Sequence, residues 1–422
     1  MPGRLAVDGG EPVRKEPWPQ RVQMDEEELN AVISVIRDSM SGPIKLGRYS
    51  IPSRTEEFET EFAKFAGTRY AAASSSGTAA VHVALGSANF EPGSEVITSP
   101  ITDPGSITPI IFQNLIPVFA DVDPETLNVD PESVGERITD KTVGILPVHL
   151  AGSPCDMDPI IELAEERGLL VIEDCAQAHA ATYKGKMVGS LGDLGCFSLM
   201  SGKHITSGGE GGMTVTDDTG LWERARSFAD KGKSYWPEKK QFGFPSAFLG
   251  LNYRMTELQA AIGFVQLRKL PKVVETRRRL GKALAKSISN LETIRFQKIV
   301  EGAESSYWFI HFHVNLDMLT IGLDRYADAL KMEGIPVSAR YINTPIYEWP
   351  FITKRETFGK SQHPWSCIFY GRNIDYTNSC PKAKKALEEV LTVSLHECCT
   401  VKEVEDIALA MEKVERNYRK HA

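Results

Sequence analysis

The stretch GCFSLMSGKHITSGGEGGM, residues 195–213, carries one lysine, Lys203, between small residues and four glycines that Glu210 interrupts. Upstream, Ser198 closes a short apolar segment. Lysine condenses with carbonyl groups, and a lysine held in a desolvated pocket becomes neutral and nucleophilic. An isolated lysine is more often a solvated surface charge. Whether Lys203 is a Schiff-base lysine therefore depends on what surrounds it in the fold.

Upstream of this stretch, apolar runs alternate with helical patterns. RYAAASSS, EVITSP, IPVFADVD, KTVGILPVHL and GLLVIEDCA read as strands. GTAAVHVALGSA, GSITPIIFQ and MDPIIELAEERG between them read as helices. Such alternation predicts βαβ units and a buried, largely parallel sheet, running to about Leu270. The preceding SRTEEFETEFAKFAG places Phe58, Phe62 and Phe65 at helical spacing. Downstream, VVETRRRLGKALAKSISNL is a long charged helix, and the tail mixes strands with helices. The expected organisation is an N-terminal arm over 1–50 with a helix from Asp25 to Asp38, a large domain over 51–275, and a smaller α+β domain over 276–422. The arm is expected to pack on another domain or on a partner subunit.

Ligands of an open α/β sheet bind at the carboxyl ends of its strands. Two candidates fall there. Ser75-Ser76-Gly77-Thr78 opens a helix, where backbone N–H groups can cradle a phosphate, or where Ser76 is an ordinary N-cap. Asp174 ends VIED and suits a pyridinium nitrogen, whose protonation makes the ring an electron sink, or caps a helix. With Lys203 these make a site for pyridoxal phosphate.

Other classes recede. The 422 residues are 42% hydrophobic and carry a net charge of −8 without a long basic block, which disfavours nucleic acid or an anionic membrane as partner. The opening MPGRLAVDGGEPVRKEPWP has no apolar signal region, and no run approaches a membrane span. Seven scattered cysteines fit reduced thiols and a cytoplasmic location, and none has zinc spacing. GKS at 232–234 lacks the glycine a P-loop needs, and no GxGxxG follows the first strand. His311 and His313 share one strand face but lack further ligands, so packing is expected and no metal is assigned.

Six ordered blocks carry a resemblance: SGTAAVHVAL, FADVDPETLNVDPESV, LPVHLAGSPCDMDPI, VIEDCAQAHAA, FSLMSGKHITSGGEGGM and GLNYRMTELQAAIGFVQL. The chain resembles the DegT/DnrJ/StrS-type aminotransferases, sugar and cyclitol transaminases of pyridoxal-phosphate fold type I, over nearly its whole length. The resemblance implies an α/β fold whose large domain has a mostly parallel central sheet flanked by helices. It implies that Lys203 forms the Schiff base and that Asp174 pairs with the pyridine nitrogen. Gln177 would lie near the ring face or the phenolic oxygen. Ser76, Gly77 and Thr78 with Ser198 would hold the phosphate. Asn252 would reach the phosphate of the neighbouring subunit's cofactor, which implies a homodimer with shared active sites. Arg254 lies near the same place, with a structural ion pair as the alternative.

One departure stands out. The family commonly has an aromatic after the threonine where this chain has Thr102-Asp103, and Asp103 cannot stack on a ring. Either another side chain covers the ring, or the alignment shifts locally, or the carboxylate meets a substrate amino or hydroxyl group. Tyr341, Tyr347 and Trp349 would border the acceptor pocket by family position, unless they are core. The implied reaction is ping-pong transamination from Glu or Gln to a nucleotide-linked keto-hexose or a keto-cyclitol. The opening LAVDGGEPVRKEPWP looks most like the branch acting on keto-inositols. The alternatives are a keto-octulosonate acceptor, a non-catalytic regulatory protein, or sugar dehydration by relatives with histidine at the lysine position. The spacing FSxxxxK assigns that position to Lys203 and not to His204.

Overall fold

The computed structural model describes residues 3–42, 46–47, 53–236, 241–246 and 248–420, so the end of the expected arm, 48–50, lies outside the described residues. Seven strands form the central sheet: β1 (Tyr70–Ser74), β2 (Glu95–Thr98), β3 (Ile116–Phe119), β4 (Thr142–Leu146), β5 (Leu170–Asp174), β6 (Leu194–Ser198) and β7 (Gly212–Thr216). Their order is β1-β7-β6-β5-β4-β2-β3. Only β7 runs against the others, pairing antiparallel with both β1 and β6. The strands are short apolar runs buried on both faces, as a parallel sheet covered by helices requires. The fold is therefore the expected α/β type with a mostly parallel sheet.

This topology decides where a ligand can sit. The segments after β1, β2, β5 and β6 and the one before β7 all emerge at the same sheet edge, the carboxyl end of the parallel strands.

Helix α1 (Glu26–Ser41) begins one residue after Asp25 and ends beyond the expected Asp38. Asp25 is its N-cap, closed by a reciprocal capping box with Glu28. Helix α2 is Arg54–Ala66, and α3 (Gly77–Ala88) is apolar nearly all round and buried against the sheet. Helix α4 (Pro104–Phe112) follows β2. The 31-residue α5 (Glu257–Ser287), started by a Thr256/Gln259 capping box, runs from the large sheet to the C-terminal part.

There a four-stranded antiparallel sheet comprises β8 (Ile294–Phe296), β9 (Ile310–Val314), β10 (Val337–Ala339) and β11 (Val390–Val393), ordered β8-β9-β11-β10. Helices α6 (Leu323–Met332) and α7 (Val401–Tyr418) cover it. The segment before α1 packs here. Leu5 is buried in the same core as Val414, and Arg14 pairs with Glu403 and Asp406 on α7. Glu333 accepts the backbone N–H groups of Ala6 and Val13. No helix among the described residues is long and apolar enough to cross a membrane. All seven cysteines are free. His311 is buried within β9, and His313 Nε2–H donates to the Glu125 carbonyl.

Candidate active site

A solvent-open cleft lies at the carboxyl edge of the sheet. It brings together Ser76, Gly77 and Thr78 after β1, Asp103 and Ser106 around the start of α4, Asp174 at the end of β5 with Gln177 beyond it, and Ser198 at the end of β6 with Lys203 beyond it. These segments are up to 127 residues apart in sequence, counting from Ser76 to Lys203 (203 − 76), but meet at one edge of the sheet.

Lys203 sits in the loop that returns β6 to β7. The loop is tied at its base by Leu199 N–H to the Gly211 carbonyl (2.7 Å) and higher by Ser201 N–H to the Gly209 carbonyl (2.9 Å). Gly209 has φ of +128°, which a residue with a Cβ adopts only at a cost. A Cβ on Gly212 would lie 2.0 Å from the Ser76 carbonyl oxygen, so this glycine lets the lysine loop close against the start of α3.

The Lys203 ammonium makes no hydrogen bond or ion pair among the described residues. It faces the Trp308 ring, with Nζ 3.7 Å from the ring centroid. Burial lowers its pKa to about 8, against the opposing pull of Asp174 and Asp103. The charged form is disfavoured, so the neutral amine gains ground above about pH 8 instead of above 10.5. Competitive acylation of the cofactor-stripped protein, read by peptide mass spectrometry, should show Lys203 becoming reactive with a midpoint near pH 8. A midpoint at the ordinary lysine value would refute this.

Asp174 is buried and already accepts two hydrogen bonds, from the Ser106 hydroxyl (2.6 Å) and the Ala176 N–H (3.0 Å). Ser106 spends its proton on Asp174, so Thr102 Oγ1 donates to Ser106 across 2.7 Å. Burial pushes the Asp174 pKa up, and these donors with the Lys203 charge pull it back. A buried carboxylate so placed is suited to a cationic N–H partner. Behind it, Glu173 accepts from the N–H groups of Gly189, Leu191 and Gly192 and pairs with His149. Cys175 lies close enough to His149 and Glu173 for the three to hold a metal. The His149 ring is already spent on Cys155 N–H and Glu173, so this cluster acts as a brace for the end of β5.

Ser76 is the N-cap of α3, its hydroxyl accepting Ala79 N–H (3.1 Å). Capping does not exhaust the turn: the Gly77 and Thr78 N–H groups have no partner among the described residues. A Cβ on Gly77 would stand 2.6 Å from Ser198 Cβ, so only glycine leaves Ser198 beside these donors. Asp103 is the N-cap of α4, with Oδ1 accepting Gly105 N–H (2.8 Å), at the exposed mouth of the cleft.

Gln177 is fixed at both ends. Its Oε1 accepts Ala151 N–H (2.8 Å), and its amide donates to Tyr341 Oη (3.0 Å). Tyr341 stacks on Phe309, with centroids 5.1 Å apart, and burial raises its pKa. Tyr347 does not reach the cleft. It is packed against Phe119, and its hydroxyl donates to the Cys380 carbonyl (3.2 Å), so the core alternative holds. Trp349 donates to the Thr344 carbonyl beside the same core. Arg254 pairs with the fully buried Asp230, the structural alternative. Asn252 bridges Asp230 through its backbone and is exposed, outside its own chain's cleft. His204 also lies outside the cleft; its Nε2–H donates to the Ser306 carbonyl (3.0 Å).

Sequence reading missed Ser106 and Trp308. Ser106 had a faint signal, a serine in the first turn of a helix at the sheet edge. Trp308 had none, because its partner lies 105 residues away (308 − 203).

A model of the DegT/DnrJ/EryC1/StrS aminotransferase family matches residues 22–412. The chain belongs to that family. The L-glutamine:2-deoxy-scyllo-inosose aminotransferase of Streptoalloteichus tenebrarius is 34% identical over 81% of this chain and 82% of its own. The GDP-perosamine synthase of Escherichia coli O157:H7 is 38% identical over 60% of this chain and 68% of its own. A solved aminotransferase from Psychrobacter cryohalolentis superposes with a TM-score of 0.81 at 33% identity, covering 95% of this chain and 99% of that one.

As a DegT/DnrJ/EryC1/StrS member the protein is a pyridoxal-phosphate-dependent aminotransferase of fold type I. Its cleft fits that cofactor on its own features. Free N–H groups at a helix start suit the phosphate, a buried carboxylate suits the ring nitrogen, and a desolvated lysine suits the carbonyl.

Proposed function

We propose that this aminotransferase works by ping-pong exchange, taking an amino group from Glu or Gln and delivering it to a keto-cyclitol or a nucleotide-linked keto-hexose. The observation that carries the reading is the meeting of Lys203, Asp174 and the start of α3 in one cleft. In this reading Lys203, Asp174, Gln177, Ser76, Gly77, Thr78 and Ser198 form the cofactor site. Bound pyridoxal phosphate supplies a carbonyl that captures amines and a ring that accepts electrons.

The chain's residues do the rest. Asp174 holds a proton on the ring nitrogen, and Ser106 keeps its carboxylate oriented. Lys203 Nζ takes the proton from the donor's α-carbon as general base, a task its depressed pKa suits, and in the second half-reaction protonates the carbon being aminated. Gln177 and Tyr341 form a fixed polar and aromatic wall for the entering ring. Asp103, exposed at the mouth with one oxygen spent on its helix, presents the other to an acceptor hydroxyl or amino group.

The cyclitol acceptor is favoured over the hexose because the inosose aminotransferase matches over more of the chain than the perosamine synthase does. Lysine in the cleft, with His204 turned away, supports transamination over dehydration. The reading includes a homodimer with shared sites, supported by exposed Asn252 beside exposed Leu249 and Leu251. The test is to load the enzyme with Glu or Gln until the visible cofactor band is lost, then add keto-cyclitols and nucleotide-linked keto-hexoses separately. A keto-cyclitol should restore the band fastest. No loss of the band with either donor would reject the reading.

A further inference from the structure

The lysine loop is held from outside by the N-terminal arm. Arg21, four residues before the Asp25 cap of α1, donates from Nη1 to the Lys203 carbonyl (2.6 Å) and from Nη2 to the His204 carbonyl (2.8 Å). Gln23 Nε2 adds a third bond, to the Lys203 carbonyl (3.1 Å). The remaining face of the Arg21 guanidinium binds Glu397, with Nε 2.7 Å from Oε1.

Glu397 lies just before α7, and its other oxygen takes Arg277 of α5 in a forked pair, with Nη2 at 2.7 Å and Nε at 2.8 Å. Arg277 is buried, and its free nitrogen Nη1 donates to the carbonyls of Tyr307 and Trp308, each at 3.1 Å. The Trp308 ring in turn faces Lys203 Nζ, and its indole N–H donates to the Gly202 carbonyl (2.7 Å). The circuit therefore closes. One arginine–glutamate–arginine unit fixes the backbone of the lysine from one side and the ring facing its ammonium from the other. Planar forks can span several acceptors at once, which a lysine in place of either arginine cannot do.

We propose that Arg21 is a positioning residue for the Schiff-base lysine, acting with Glu397 and Arg277 to hold Lys203 and Trp308 in register. The proposal rests on the reading of Lys203 given above. A loosely held reacting group loses rate through orientation, and a displacement of about 1 Å is enough to cost about 100-fold. Arg14 provides the contrast. It ties the same arm to α7 through Glu403 and Asp406 and touches nothing in the lysine loop.

The experiment follows covalent attachment of pyridoxal phosphate to the cofactor-stripped full chain, by the rise of the visible band, by its induced circular dichroism, and by peptide mapping after borohydride reduction. In the wild type the label should map to Lys203. A label on another lysine would overturn the Lys203 reading and this proposal with it. With Lys203 labelled, Arg21→Ala should slow attachment by about tenfold or more and lose the induced dichroism per bound cofactor, with far-ultraviolet dichroism unchanged. Arg21→Lys should recover part of the rate, and Arg14→Ala should match the wild type. Equal effects of Arg21→Ala and Arg14→Ala, or a wild-type rate in Arg21→Ala, would overturn the positioning role alone. If Arg21→Ala does not fold, Arg21→Lys decides: a reduced rate supports the proposal, and a wild-type rate overturns it.

Discussion

Lys203→Ala is expected to lose transamination by a factor of about 10,000 or more, because one substitution removes both the covalent anchor and the proton carrier. The protein should still take up pyridoxal phosphate. The Gly77 and Thr78 N–H groups, Ser198 and Asp174 remain, so binding becomes reversible without becoming absent. Dialysis should then strip the cofactor from the variant but not from the wild type, and borohydride should fix none of it to the chain. The fold should be unaffected, since the Lys203 side chain makes no hydrogen bond or ion pair among the described residues. A variant that keeps a borohydride-stable label and measurable turnover would refute the assignment.

Asp174→Ala is the second large effect. The variant loses the buried carboxylate of the cleft, and loss of one preorganised electrostatic partner of this kind costs about 100- to 1,000-fold in rate. Asp174→Asn separates charge from shape. It keeps a side chain that can still bond Ser106, yet it cannot stabilise a cation, so it should fall nearly as far as alanine. Steady-state rates with Glu as donor give the comparison. If Asp174→Asn works at the wild-type rate, the ring nitrogen is not held protonated by this residue.

The parts of the site legible in the sequence were those attached to the ends of strands. Asp174 ends β5, Lys203 and Gly77-Thr78 follow β6 and β1, and a parallel sheet delivers all such ends to one edge whatever the intervening lengths. The illegible parts depend on side chains from distant segments. Trp308 reaches Lys203 from beside the second sheet, and Arg21 reaches it from the arm. No local periodicity encodes either approach. Tyr347 shows the opposite failure. An aromatic in the right region has the composition of a pocket wall, and only packing against Phe119 shows that it is core. Asp103 falls between. The sequence shows that it cannot stack, and the structure adds that a proline-glycine turn makes it the cap of α4. Arg254 illustrates a choice composition cannot make, since an ion pair and a ligand contact demand the same residue; the structure adds the ion pair to the buried Asp230.

The placement of the arm has a consequence for how the enzyme is made. Residues 5–21 leave the ribosome long before their partners do: Arg14 waits for Glu403, 389 residues later (403 − 14), and Arg21 waits for Glu397. The large sheet, complete by Thr216, can assemble during translation, because domains form in order of emergence. The lysine loop then exists before the circuit that fixes it. A chain that ends before Glu397 keeps every group that touches the lysine loop but lacks the carboxylate that locks Arg21 to Arg277, so the last quarter of the chain supplies the keystone of the circuit and none of its contacts with the loop.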